Sequence, residues 1–153
     1  MAPTGSDVAT TPDAEVLHST QDPRAFDPPR PALLDPDYQR VVAEISELAR
    51  LRENWDSYGA NPIDSQARAN AVTLVTMVAT HVPKRVPPPI VGPSTAGGVV
   101  LRWEPRDLEV VVTVLSRGGE YYVAERHTDR VLEEGEVGRP EAFVARVSEF
   151  LAH

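Results

Sequence analysis

Two aromatic rings, a carboxylate, two amides and a glycine fall within the nine residues Asn54-Trp55-Asp56-Ser57-Tyr58-Gly59-Ala60-Asn61-Pro62. Loops carried on a rigid scaffold are where binding groups concentrate. There Asp56 would accept hydrogen bonds from a ligand hydroxyl or a partner's amides. Trp55 and Tyr58 would offer flat apolar contact with polar tips. The same residues also have a structural reading. Trp55 would plug the core between two helices, Asp56 would cap loop N–H groups, and Gly59 would supply a positive φ.

Other chemistries are poorly served. Gly92-Pro93-Ser94-Thr95-Ala96-Gly97-Gly98 is glycine-rich, but it has no lysine and leads into a strand rather than a helix N-terminus. It reads as a turn, not a phosphate cradle. The chain has no cysteine, which removes disulfides, thiolate metal sites and a cysteine nucleophile. Its histidines, His18, His81, His127 and His153, make no H-E-x-x-H or H-x-x-x-H pair. His127 lies near Glu125 and Asp129, which reads as a solvated strand end rather than a cation site. No G-x-S-x-G elbow is present. No cofactor and no metal are expected.

The charge balance narrows the partners. Fifteen Lys+Arg stand against 23 Asp+Glu, a formal charge of −8, and the only adjacent basic pair is Lys84-Arg85. Phosphate-binding grooves need clustered basic residues, so neither nucleic acid nor an anionic membrane is expected. An acidic chain is compatible with a basic protein partner. Residues 1–23 contain no Lys, Arg or apolar run, so no signal peptide is read there. The longest apolar stretch, Ala71 to Val82, falls short of the ~18 residues of a membrane span. A cytoplasmic location is the resulting expectation.

The elements that must position the loop follow from patterning. Residues 1–34 are expected to form a Pro-rich disordered or extended tail, because seven of the 15 prolines lie within residues 1–36 among few large apolar side chains. A single α+β domain is expected over 35–153. Asp35 and Pro36 signal a helix start, and Tyr38, Val41, Val42, Ile45, Leu48, Ala49 and Arg52 recur at helical spacing, with an end near Arg52 to Asn54. A second helix starts at Ile63 or Asp64, carries Ala67, Ala71, Leu74, Val75 and Val78 on one face, and stops before Pro83. Val99, Leu101 and Trp103, then Leu108, Val110, Val112 and Val114, alternate as strands. Arg117-Gly118-Gly119 is a hairpin turn, Tyr121 to Arg126 a third strand, and Asp129 to Glu134 a weaker fourth. Glu133-Glu134-Gly135-Glu136 reads as a charge run that faces water or caps a turn. Pro140 opens a last helix with Phe143, Val144, Val147, Phe150 and Leu151 on one face. Two N-terminal helices, a three- to four-stranded antiparallel meander and a C-terminal helix make a two-layer sandwich.

The string N-W-D-S-Y-G-A-N-P-I, followed by an Ala-rich helix, P-x-I-V-G-P-S-T-A-G-G-V-V-L-R-W-E and L-E-V-V-V, resembles a family of small bacterial and phage-borne proteins with N-W-D-x-Y-G-A-x-P and a G-G-V-x-L-x-W strand. The likeness spans roughly residues 45–115. It implies one small domain and carries over no catalytic residue. Asn54, Trp55, Asp56, Tyr58, Gly59, Gly97, Gly98 and Trp103 match the pattern. Asn54, Trp55, Asp56, Tyr58 and Trp103 are accordingly the candidate binding residues.

Two functions compete. The favoured one is a small acidic non-enzymatic protein-interaction module, in an inhibitor, antitoxin-like or adaptor role, whose partner is another protein. The alternative is a small-molecule-binding protein or weak hydrolase. Its pocket would lie between sheet and helices, with Asp56 as acid/base and Tyr121 or Tyr122 as a wall.

Overall fold

A computed structural model describes residues 34–82 and 86–152. The tail expected over 1–34 lies outside them except for its last residue, and so does the Lys84-Arg85 pair. Leu34 belongs with the domain. It is buried in the core, and its carbonyl accepts a hydrogen bond from Gln39 Nε2 at 2.7 Å.

Helix α1 spans Pro36–Glu47. The Asp35 carboxylate caps it by accepting from the Tyr38 N–H at 3.0 Å, and Pro36 occupies the first turn, where a missing N–H costs nothing. Tyr38, Val41 and Ile45 are buried, and the Tyr38 hydroxyl donates to the Val86 carbonyl at 3.0 Å. The α-helix ends earlier than the spacing predicts, because Leu48–Arg50 wind into a 3-10 turn. Residues three apart share a side in that tighter winding. Leu48 and Leu51 therefore pack against the core, while Ala49 and Arg52, expected on the apolar face, are exposed.

Helix α2 spans Ser65–His81, capped by Asp64, whose carboxylate accepts from the N–H groups of Gln66 and Ala67 at 2.7 and 3.1 Å. The predicted stripe of Ala67, Ala71, Leu74, Val75 and Val78 is buried. Thr76 and Met77 are buried too, because α1 and α3 (Pro140–Leu151) both pack against α2.

The sheet has five antiparallel strands in sequential order, β1 Ile90–Pro93, β2 Val99–Trp103, β3 Leu108–Val114, β4 Gly119–Glu125 and β5 Val131–Glu136. The expected three- to four-stranded meander thus gains a strand, β1. Only Ile90 and Val91 separate Pro87-Pro88-Pro89 from Gly92-Pro93, too short a run for alternation to register. As an edge strand paired with β2 alone, β1 tolerates Pro93.

One face of the sheet carries Val99, Leu101, Trp103, Val110, Val112, Val114 and Val123, which join the buried residues of all three helices in a single core. The other face has no helix against it among the described residues. The architecture is therefore α+β, as expected, with the described helices on one side of a sheet of five strands rather than three or four. No helix among the described residues is long and apolar enough to cross a membrane.

The expectation that Glu133 to Glu136 face water or cap a turn is corrected at Glu133. Paired with Val123, it points to the helix side, where its carboxylate accepts from the Tyr121 hydroxyl at 2.5 Å and from Arg146 Nε at 2.8 Å. A second Arg146 nitrogen bonds the other Glu133 oxygen, giving a bidentate clamp of α3 onto β5. The Tyr121 ring meets Phe143 edge-on at 5.1 Å. Gly135, opposite Tyr121, keeps room for that ring, since a Cβ there would stand 3.2 Å from it.

The Tyr121 hydroxyl, and then Arg146, hold the Glu133 carboxyl below its ordinary value of 4.5. The unfolded chain takes up this proton first, so the clamp is at full strength above the ordinary carboxylate range. It is lost as the pH falls through the depressed folded value. Urea midpoints at about pH 7 and about pH 3 should differ, and Glu133→Gln should shrink that difference by weakening the protein at the upper pH.

Candidate functional site

The loop between the 3-10 turn and α2 braces itself. Asp56 Oδ1 accepts from the N–H groups of Tyr58 at 2.8 Å and Ala60 at 3.0 Å. Asn54 Oδ1 accepts from the Gly59 N–H at 2.6 Å, and the Asn54 N–H donates to the Ala60 carbonyl at 2.7 Å. Trp55 Nε1 donates to the Asn61 carbonyl at 2.7 Å. These bonds hold a backbone with three positive φ angles, Asn54 at 64°, Ser57 at 67° and Gly59 at 90°. Non-glycine residues in that region cost about 1–2 kcal/mol, so the bracing has something to offset.

The loop is also fixed to the scaffold. Ala60 and Ile63 are buried. The Asn61 N–H donates to the Thr95 carbonyl at 3.0 Å, and the Asp64 N–H to the Gly97 carbonyl at 2.9 Å. Both acceptors lie in the turn joining β1 to β2. The two sequence motifs, one in the loop and one in the hairpin, are therefore a single structural unit.

Within that unit the candidate residues divide. Asn54 and Asp56 turn their carbonyl and carboxylate inward to backbone N–H groups, and Trp55 is half-buried with its indole N–H satisfied. Trp103 is apart from the loop, 2% exposed in the core. Tyr58 is 91% exposed, the most exposed large apolar side chain of the described residues. Its side chain enters no hydrogen bond there, although its backbone N–H is held by Asp56.

Tyr121 and Tyr122, the two walls considered for a pocket with Asp56, are neighbours on β4. Tyr121 faces the helices, Tyr122 lies on the opposite face of the sheet, and Asp56 shares a hydrogen bond with neither. A cleft of about 460 Å³ beside the loop, between Pro62, Gly97 and Arg117, holds one carboxylate, Asp64, which already caps α2. At the other end of the sheet, Arg130 and Thr128 bond the Glu125 carboxylate and hold it down to about 2. His127 faces Asp107 at 3.6 Å instead of joining Glu125. No group of three metal-ligating side chains occurs among the described residues.

Bracing gives Asp56 a measurable role. Asp56→Ala leaves the N–H of Ala60 without its acceptor in a residue that is 3% exposed. The expected cost is about 1–3 kcal/mol of stability, read as a lower urea midpoint.

Comparison with protein-family models, curated proteins and solved structures found no match for this chain.

Proposed function

We propose that this chain is a small acidic, non-enzymatic protein-interaction module and that Tyr58 is an anchor it presents to a partner. One observation carries the reading. Among the eight positions of the loop and hairpin motifs, Tyr58 alone extends an almost fully exposed side chain from a backbone that is locked on both sides. An exposed tyrosine has a large apolar ring, a polar tip and few rotamers to lose, which suits a binding anchor. A loop already held in shape loses little further entropy on docking. Inhibitor, antitoxin-like and adaptor roles all use such a surface.

The test is a paired one. The full chain, tagged, is used to capture partners from its native host, beside Tyr58→Ala. The substitution should leave the melting temperature within about 1 °C, since nothing packs on the ring, and weaken capture by at least about fivefold. Asp56→Ala should lower both together. Undiminished capture by Tyr58→Ala would overturn the role of Tyr58. A full chain that captures no protein would overturn the module itself.

A further inference from the structure

Helices α1, α2 and α3 lie against one face of the sheet, and the register places the side chains of the bare face in rows. One row crosses all five strands as Ile90, Arg102, Val111, Tyr122 and Glu134. The adjacent row runs Gly92, Val100, Thr113, Glu120 and Glu136. The middle of the face thus carries Val100, Val111, Thr113 and the Tyr122 ring beside Arg102, with Val111 only 7% exposed, and its β4–β5 side is acidic. A depression of about 180 Å³ opens there between Val111, Thr113, Tyr122, Glu120 and Glu134.

The charges on this face are unbalanced in a specific way. Its one cation within these rows, Arg102, is paired with Glu109 at 3.2 Å. Glu120 and Glu136 stand directly opposite each other across β4 and β5. Like charges in that position destabilise a sheet. No ion pair to Glu120, Glu134 or Glu136 occurs among the described residues, whereas Glu109, Glu125 and Glu133 each have an arginine.

We infer that this face docks a basic segment of a protein partner, with an arginine or lysine side chain seated on the Tyr122 ring between Glu120 and Glu134. The inference rests on the reading of the chain as an interaction module but uses a surface other than the Tyr58 loop. Complementary charge selects the occupant. A second copy would bring glutamates against glutamates. The chain's own residues 1–33 hold five acids against two arginines, so they carry the wrong sign. Phosphate backbones and anionic lipids are repelled for the same reason. A guanidinium or ammonium gains both from the carboxylates and from the ring face. The half-buried Val100 and Tyr122 then take the aliphatic part of the same segment, Val111 being covered already.

The probe is a short synthetic peptide of alternating arginine and valine, titrated into the isotope-labelled full chain and followed by backbone amide shifts. A peptide of alternating glutamate and valine is the control. The expected result is saturable shifts at Val111, Thr113, Glu120, Tyr122 and Glu134 with the basic peptide only. Glu120→Gln with Glu134→Gln should weaken binding by about tenfold, and Tyr58→Ala should leave it unchanged. The double variant relieves repulsion, so its melting temperature should hold or rise, which keeps misfolding out of the interpretation. Shifts scattered over the glutamates of α1, no shifts, or equal affinity in the double variant would each overturn the inference. The peptide titration does not depend on Tyr58, so its failure leaves Tyr58-dependent capture standing, and the reverse also holds.

Discussion

Trp103→Ala is expected to be the most damaging single substitution, costing about 3–5 kcal/mol. Trp103 is the largest of the fully buried side chains, 2% exposed at the end of β2. It stands in register with Val110 of β3 on the face that meets the helices. Truncation removes its contacts with that core and leaves a cavity that the flanking strands can close only partly. For a domain of this size the melting temperature should fall by roughly 10–25 °C. Capture of a partner at a temperature where the variant is still folded should be intact. Trp103→Phe should lose much less, because its ring fills much of the same space. If Trp103→Ala instead kept its melting temperature and lost its partner, Trp103 would be a recognition residue.

That expectation marks where sequence patterning suffices. Trp103, Val110, Val112 and Val123 alternate with outward residues, and a period of two assigns their side in advance. Asp64 and the Ala67–Val78 stripe likewise announce α2 by a cap and a helical period. Where no period operates, the assignment fails or stays open. In β1, two apolar residues between prolines carry no detectable alternation. At the end of α1, a 3-10 turn resets the inward side from Ala49 to Leu51. Alternation also separates Glu133 from Glu134, but the Arg146 that awaits Glu133 is on a helix 13 residues later, and no local spacing signals it.

The loop shows the limit most clearly. Composition marks Asn54 to Pro62 as dense in polar and aromatic groups, and it treats Asn54, Trp55, Asp56 and Tyr58 alike. Their separation depends on which N–H groups each carboxylate or amide reaches, and that follows from three positive φ angles that composition does not reveal. Asp56 then bonds two backbone N–H groups, and Tyr58, held only by its own N–H, is left outward.

Gly98→Ala should also be strongly destabilising, by about 3 kcal/mol or more. A Cβ at Gly98 would stand 2.4 Å from the Val114 carbonyl oxygen and 2.7 Å from Leu115 Cδ2. The first of these is backbone of the neighbouring strand and cannot rotate away, so β2 and β3 would have to separate at this end. Gly92→Ala in the same hairpin is the control. Nothing lies within 4 Å of its Cβ position, so its stability should change by no more than about 0.5 kcal/mol. The consequence reaches the loop. Gly98 follows Gly97, whose carbonyl accepts from the Asp64 N–H at 2.9 Å, and a Cβ on Gly97 would crowd the Pro62 carbonyl at 3.1 Å. Moving the hairpin end therefore disturbs the support beneath Tyr58 without touching Tyr58 itself. In amide exchange, Gly98→Ala should expose the N–H groups of Asn61 and Asp64 together with those of β2, whereas Tyr58→Ala should expose none of them. Protection at Asn61 and Asp64 that survives Gly98→Ala would mean that the loop holds its shape unaided and that the hairpin glycines serve the sheet alone.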